Sequence, residues 1–120
     1  GGPEDEELNL KLSNKLGINL TSKLTISELS IFAKQARFAI TNDSGPMHVI
    51  STSGIPSFTF FGPTDWKRHY AIGNENRVLY KIVECGPCYF GTCPPKFNHQ
   101  CLEKINVELV LSRIQAEKLI

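Results

Sequence analysis

The stretch FAITNDSGPMHVISTSGIPSFTFFGPTD, residues 38–65, decides how this chain is read. With the preceding arginine it opens on RFAIT, an apolar run of strand length that stops abruptly at NDSG. Pro46, after Ser44-Gly45, suits the first turn of a helix, and PMHVISTS closes at Gly54 after about two turns. Pro56 then introduces SFTFF, a second buried-strand candidate, which GPTD breaks.

Upstream, Pro3 is followed by Glu4, Asp5, Glu6 and Glu7, and then by Leu8, Leu12 and Leu16 with Lys11 and Lys15 between them. This predicts a helix whose acidic first turn suits the helix dipole, with an apolar stripe ended by Gly17 at C′. GINL follows as a short extended piece. Thr25 and Glu28 then form a capping box for a second helix that carries Ile26, Leu29, Phe32, Ala33 and Ala36 inward. Downstream of residue 65, WKRHYAIGNENR reads as a loop with helical possibilities and VLYKIV as a third strand. A cysteine-bearing loop comes next. The last helix has Asn106 as N-cap, Ile105 and Val110 as a hydrophobic staple, and positions 107, 110, 111 and 114 facing inward. The alternation predicts an α/β fold with a parallel sheet. Such sheets take ligands at the carboxyl ends of their strands, where NDSG and GPTD both fall.

At 120 residues the chain is one domain or a piece of one. Thirteen basic against 12 acidic residues leave a formal charge of +1, with no basic block to serve as a footprint for nucleic acid. No apolar run reaches the roughly 20 residues of a membrane span, and the first residues lack the order of a signal peptide, so the reading is a soluble, cytosolic chain. GGPEDEEL has no initiator methionine, which suggests a piece of a longer protein.

A strand that enters a helix through a Gly-containing turn presents backbone N–H groups and the positive end of a helix dipole, which suits a phosphate. Asp43 can accept from a hydroxyl or cap the turn. Ser44 can cap the helix or donate to a phosphate oxygen, and Gly45 lets an oxygen approach the backbone. His48 lies one helical turn beyond Ser44 on the same face, within reach of the same anion. The plainer reading is that Asp43 and Ser44 are ordinary caps, Pro46 an ordinary first-turn residue, and His48 simply packed or solvated. After GPTD, Trp66, Lys67, Arg68 and His69 make either a basic cluster for a phosphate or anionic sugar, or an exposed helix start under an aromatic lid.

All four cysteines fall in one loop, Cys85, Cys88, Cys93 and Cys101, as CGPC-x4-C-x7-C. Four thiolates satisfy tetrahedral zinc, and Gly86-Pro87 suits a tight knuckle, but the longer spacings are not those of a zinc ribbon. Three readings stand side by side: a structural metal knuckle, free packed thiols, and disulfides or redox chemistry.

TNDSGPMHVISTSGIPSFTFFGPTD closely resembles the C-terminal-domain motif of the ADP-heptose:lipopolysaccharide heptosyltransferases, glycosyltransferase family nine. That pattern runs N/D-D-[ST]-G-P-x-H, a small-residue helix, Gly-x-Pro, an apolar strand and F-G-P-T-D. The GGPEDEEL start, the LTISELSIFAKQARFAI helix and strand, the CGPCYFGTCP loop and the INVELVLSRI helix fit the same family, so the resemblance covers nearly the whole chain. It implies a Rossmann-like parallel sheet with flanking helices, forming part of the C-terminal, nucleotide-sugar-binding domain of a two-domain GT-B enzyme that inverts at the anomeric carbon. Asp43, Ser44, Gly45 and His48 match the donor-binding motif, with Met47 a weaker match as a wall near the adenine and Thr64 and Asp65 at the mouth of the cleft. The resemblance implies an ADP-sugar donor, a lipopolysaccharide or related glycan acceptor held by an N-terminal domain, no metal for transfer, and an enzyme at the inner face of the bacterial inner membrane. The acidic catalytic base and a phosphate-contacting lysine of the family match nothing in these 120 residues, so the chain alone is expected to be inactive. Two alternatives stand: a family member that uses another nucleotide sugar, and a cysteine-stabilised interaction module with no enzymatic role.

Overall fold

The computed structural model describes residues 1–14 and 16–120. Among the described residues six α-helices, α1 (Glu6–Ser13), α2 (Ile26–Ala33), α3 (Gly45–Ser51), α4 (Trp66–His69), α5 (Gln100–Glu103) and α6 (Val107–Ala116), accompany three strands, β1 (Ala39–Asn42), β2 (Ser57–Phe60) and β3 (Val78–Leu79). The strands form one parallel sheet in the order β1-β2-β3, with Ala39 opposite Ser57 and Thr59 opposite Val78. This is the expected α/β arrangement, a Rossmann-like parallel sheet with flanking helices.

Alternation along the strands sorts the core into two clusters, as a sheet covered on both faces requires. Phe61 and Val78 join Met47 of α3 and Ala71 in one, with Trp66 and Tyr70 packed against it. Phe58 and Leu79 meet Ile114 of α6 in the other, together with Phe38, Phe60, Ile105, Val110 and Leu119. At the junction of β1 and β2 the Thr41 and Thr59 hydroxyls hydrogen-bond at 2.9 Å. Asn74 is a buried polar plug that accepts from the Ser57 N–H and the Arg77 guanidinium, both at 3.0 Å, and so satisfies the start of β2.

The local signals hold. The Glu28 N–H donates to Thr25 Oγ1 while the Thr25 N–H donates to the Glu28 carboxylate, and Asn106 Oδ1 accepts from the Leu109 N–H. Ile105 and Val110 both pack on the second cluster.

Burial departs from the periodic patterns in three helices. The α1 stripe lies open, with Leu8 60% and Leu12 75% exposed, and the helix stops at Ser13, short of Gly17. Hydrogen bonds from Asn9 to Thr21 and from the Ser22 N–H to the Gly1 carbonyl tie α1 to the chain that follows it. Lys15, which the sequence places in this helix, lies outside the described residues. In α2, Ala33 is buried and Leu29 half-buried, but Ile26 and Phe32 face outward and Ala36 lies beyond the helix end; in α6, Val107 and Leu111 are exposed while Ile114 is buried.

The third strand is shorter than VLYKIV predicts. Its last ladder bond runs from the Phe61 N–H to the Leu79 carbonyl, after which β2 turns away at Gly62-Pro63. Residues 80–83 therefore have no neighbour to pair with, because Pro63 offers no N–H and the chain has diverged. Among the described residues no helix is long and apolar enough to cross a membrane.

Candidate functional site

β1 delivers Asn42 and Asp43 to the carboxyl edge of the sheet, and α3 starts immediately after Ser44. The Asp43 N–H donates to the Phe60 carbonyl, which sets the turn beside the end of β2. Thr64, on the next strand-end loop, donates its hydroxyl to Asp43 Oδ2 at 2.5 Å. Two loops 21 residues apart in sequence thus meet through a charge-assisted hydrogen bond that holds one carboxylate oxygen and leaves Oδ1 for another donor.

Ser44 is the N-cap of α3 in backbone conformation, yet its hydroxyl makes no cap bond to the helix and only a long contact, 3.4 Å, to the Asn42 carbonyl. Pro46 has no N–H, so the donors at the mouth of the turn are those of Ser44 and Gly45, and both residues are exposed. Gly45 has helical backbone geometry, and a Cβ there would meet nothing within 4 Å. Gly45 directly precedes Pro46, and a helical backbone there is disfavoured for a residue with a Cβ, so the Pro46 ring is one local reason for glycine. His48 is exposed one turn further along α3.

Met47 is corrected by the structure. Its side chain is fully buried against Phe61, Ala71 and Val78, so it forms core beneath the turn and has no surface to offer an adenine.

Asp65 caps α4 by accepting the Lys67 N–H at 3.1 Å. With Thr64 it lines a cavity of about 320 Å³ at the carboxyl ends of β2 and β3, between the GPTD turn and the unpaired run after Leu79. Trp66 and Tyr80 form a tilted aromatic pair there, centroids 5.1 Å apart. Tyr89 was not legible as a site residue: nothing in its sequence surroundings marks it. It adopts a left-handed backbone, φ 57°, in which its N–H donates to the Pro63 carbonyl and its hydroxyl accepts from the Asp65 N–H. A conformation that strains an L-residue is held here by contacts to both sides of the GPTD turn.

The four cysteines and His99 line a separate hollow of about 140 Å³, and all four thiols are free and half-buried. Among the described residues no three His, Cys, Asp or Glu side chains assemble as a metal-binding group. Cys85 Sγ accepts from Gln100, and Cys93 Sγ donates to the Pro94 carbonyl. Burial pushes the Cys101 thiol above its ordinary range, with Cys85 and Cys88 adding to the effect.

Residues 1–98 match the family described as glycosyltransferase family 9 (heptosyltransferase), which takes in the turn, the cavity and three of the four cysteines. The chain belongs to glycosyltransferase family 9. Over 111 residues, 92% of the chain, it is 34% identical to lipooligosaccharide heptosyltransferase 2 of Campylobacter jejuni serotype O:6, and over 109 residues, 90% of the chain, 34% identical to the protein of that name from serotype O:2. It is also 30% identical over 110 residues, 92% of its length, to lipopolysaccharide heptosyltransferase 1 of Campylobacter coli. These matches cover 33%, 32% and 31% of the relatives, so this family 9 chain spans about a third of their length. No solved structure matches it significantly.

Proposed function

We propose that this family 9 chain is the donor-binding part of an inverting glycosyltransferase that transfers heptose from ADP-heptose to a lipopolysaccharide core or related glycan. In this reading it belongs to the C-terminal domain of a GT-B enzyme, and the acceptor domain and the catalytic base lie outside these 120 residues. The observation that carries the proposal is the strand-to-helix turn, where the Ser44 hydroxyl makes no cap bond and exposed Gly45 has open ground beside its Cα. That turn leaves room for an anion against the backbone.

The N–H groups of Ser44 and Gly45 bind the donor's diphosphate, the Ser44 hydroxyl adds a donor, and His48 supports the same anion from one turn further on. Asp43, held through Oδ2 by Thr64, accepts a hydroxyl of the donor sugar at Oδ1. As the glycosidic bond to ADP breaks, negative charge grows on the leaving phosphate, and fixed donors aimed at those oxygens stabilise the transition state more than the ground state. That electrostatic work needs no metal in this proposal.

Titration of isotope-labelled chain with ADP, with UDP as control, tests the reading by backbone-amide NMR. Saturable shifts at Ser44, Gly45 and His48 that favour ADP are expected. A folded sample whose amides at 43–48 ignore millimolar ADP would sink the assignment of the donor site to this turn.

A further inference from the structure

The hollow that gathers the four cysteines adjoins the GPTD turn, and no step of the proposed transfer uses it. Cys85, Cys88, Cys93, Cys101 and His99 line it together with Pro63 of that turn. A Cβ at Gly62 would come within 3.3 Å of Cys101 Sγ, so the thiol of α5 packs directly on the turn. No carboxylate, lysine or arginine is among the lining residues, which leaves sulfur and imidazole as the metal-binding side chains there. That donor set suits zinc and other thiophilic cations and is a poor one for calcium or magnesium. The surrounding chain has little else to hold it. From Tyr80 to Lys104 no residue is fully buried, and regular structure is confined to a single turn at Pro95–Phe97 and the four residues of α5. A segment of that length without a core of its own needs a staple to keep one conformation. Two of the sulfurs make single long hydrogen bonds, Cys85 Sγ with Gln100 at 3.5 Å and Cys93 Sγ with the Pro94 carbonyl at 3.6 Å. With the thiols protonated and so engaged, no three of these side chains converge on one point. The 140 Å³ hollow gives the sulfurs room to swing inward to the roughly 2.3 Å of a zinc–thiolate bond, a far stronger contact than either hydrogen bond.

We propose that this hollow is a structural site for a thiophilic divalent cation of the zinc type, held tetrahedrally by the thiolates of Cys85, Cys88, Cys93 and Cys101. Binding replaces the four S–H bonds by four sulfur–metal bonds and releases the four protons to solvent. Cys85 and Cys88 grip the ion from the two ends of the Gly86-Pro87 turn, as thiols two residues apart do in zinc knuckles, and Cys93 and Cys101 complete the shell. The ion takes no part in chemistry. Its effect is on the loop between Cys88 and Cys93, which carries Tyr89, whose N–H and hydroxyl hold Pro63 and Asp65 on the GPTD turn. Closing the thiols on one ion fixes that clasp, and with it the turn that sets Thr64 against Asp43. The cation site stands on the cysteine hollow alone; only the benefit to donor binding rests on the reading of the Asp43 turn proposed above.

The test uses the reduced chain, treated with chelator so that its four thiols are free, and titrates it with Co²⁺ and then Zn²⁺ in the absence of oxygen. The expected result is one Co²⁺ per chain, with the intense visible bands of a tetrahedral ion and a sulfur-to-metal charge-transfer band, displaced by one equivalent of Zn²⁺. The Cys85→Ser/Cys88→Ser, Cys93→Ser and Cys101→Ser variants should each weaken Co²⁺ binding by at least about tenfold, the loss expected when even an outer-shell partner of a metal ligand is removed. Zn²⁺ should also slow amide exchange between Cys88 and Cys93. The spectrum of the unsubstituted chain decides the matter even where a variant fails to fold. A reduced chain that takes up neither ion, the weak bands of an octahedral Co²⁺, or an unchanged affinity in Cys85→Ser/Cys88→Ser would each overturn the proposal. Amide shifts at Ser44 and Gly45 with ADP read the donor turn separately. Tetrahedral Co²⁺ without ADP shifts upholds the cation site and refutes the donor turn, whereas ADP shifts in a chain that binds no Co²⁺ refute the cation site alone.

Discussion

Replacing Gly45 by alanine separates what the fold needs from what a ligand needs. Gly45 is the first residue of α3, its backbone is helical, and a Cβ would meet nothing within 4 Å. Alanine meets no more distant atom, but its Cβ opposes a helical backbone before Pro46, so stability should stay unchanged or fall by at most about 1 kcal/mol. At the proposed diphosphate site the same methyl occupies the ground an oxygen must cross to reach the Gly45 N–H. Loss of one charge-assisted hydrogen bond is worth about 1.5–3 kcal/mol, which makes ADP binding weaker by a factor of about 10 to 150. Urea unfolding followed by Trp66 fluorescence measures the first quantity, and amide-detected ADP titration the second. The expected pattern is a midpoint that stays or falls slightly together with an ADP affinity that falls at least tenfold. If G45A bound ADP as tightly as the parent chain, or lost more than about 1 kcal/mol of stability, the argument that this glycine serves a ligand would fail.

Thr64→Val removes the donor to Asp43 while keeping the side-chain shape. Because both residues are half-buried, the loss should be near the low end for a bond to a charged group, about 1–2 kcal/mol, and a double-mutant cycle with Asp43→Asn should return a coupling of similar size; additive effects would show that the two loops are not joined energetically. Met47→Ala should cost about 2–5 kcal/mol in urea unfolding, whereas Met47→Leu should cost less than about 1.5, and a Met47→Ala protein of unchanged stability would remove Met47 from the core. Asn74→Ala strands the Ser57 N–H in a buried setting and should destabilise by about 1–3 kcal/mol, checked by the same unfolding assay. The raised Cys101 thiol holds its proton to higher pH than an ordinary cysteine, so its thiolate fraction at a given pH is smaller; alkylation mapped by mass spectrometry should show its labelling profile displaced toward higher pH relative to cysteine in an unstructured peptide, and a profile at or below that of the peptide would contradict the burial.

The strand-helix-strand centre and the NDSG turn were determined by the sequence itself. RFAIT, NDSG, Pro46, Gly54, Pro56 and GPTD each act through dihedral limits and missing or satisfied N–H groups within a few residues, as do the Thr25–Glu28 capping box and the Asn106 cap. Burial was decided elsewhere. Leu8 and Leu12 have the spacing of a core stripe and yet stand open, because burial requires an opposing surface that periodicity cannot report. VLYKIV has strand composition through Val83, but a strand lasts only while a neighbour supplies hydrogen bonds, and β2 withdraws its own at Gly62-Pro63. The same divergence opens the cavity. Met47 reads as a site residue from its place in the motif and belongs to the core because α3 turns that face onto Phe61 and Val78. The Asp43–Thr64 bond, the Trp66–Tyr80 pair and the Tyr89 clasp on the GPTD turn join residues 14 or more positions apart. Contacts of that separation are set by how the sheet brings its loops together, and only the tertiary structure holds that information.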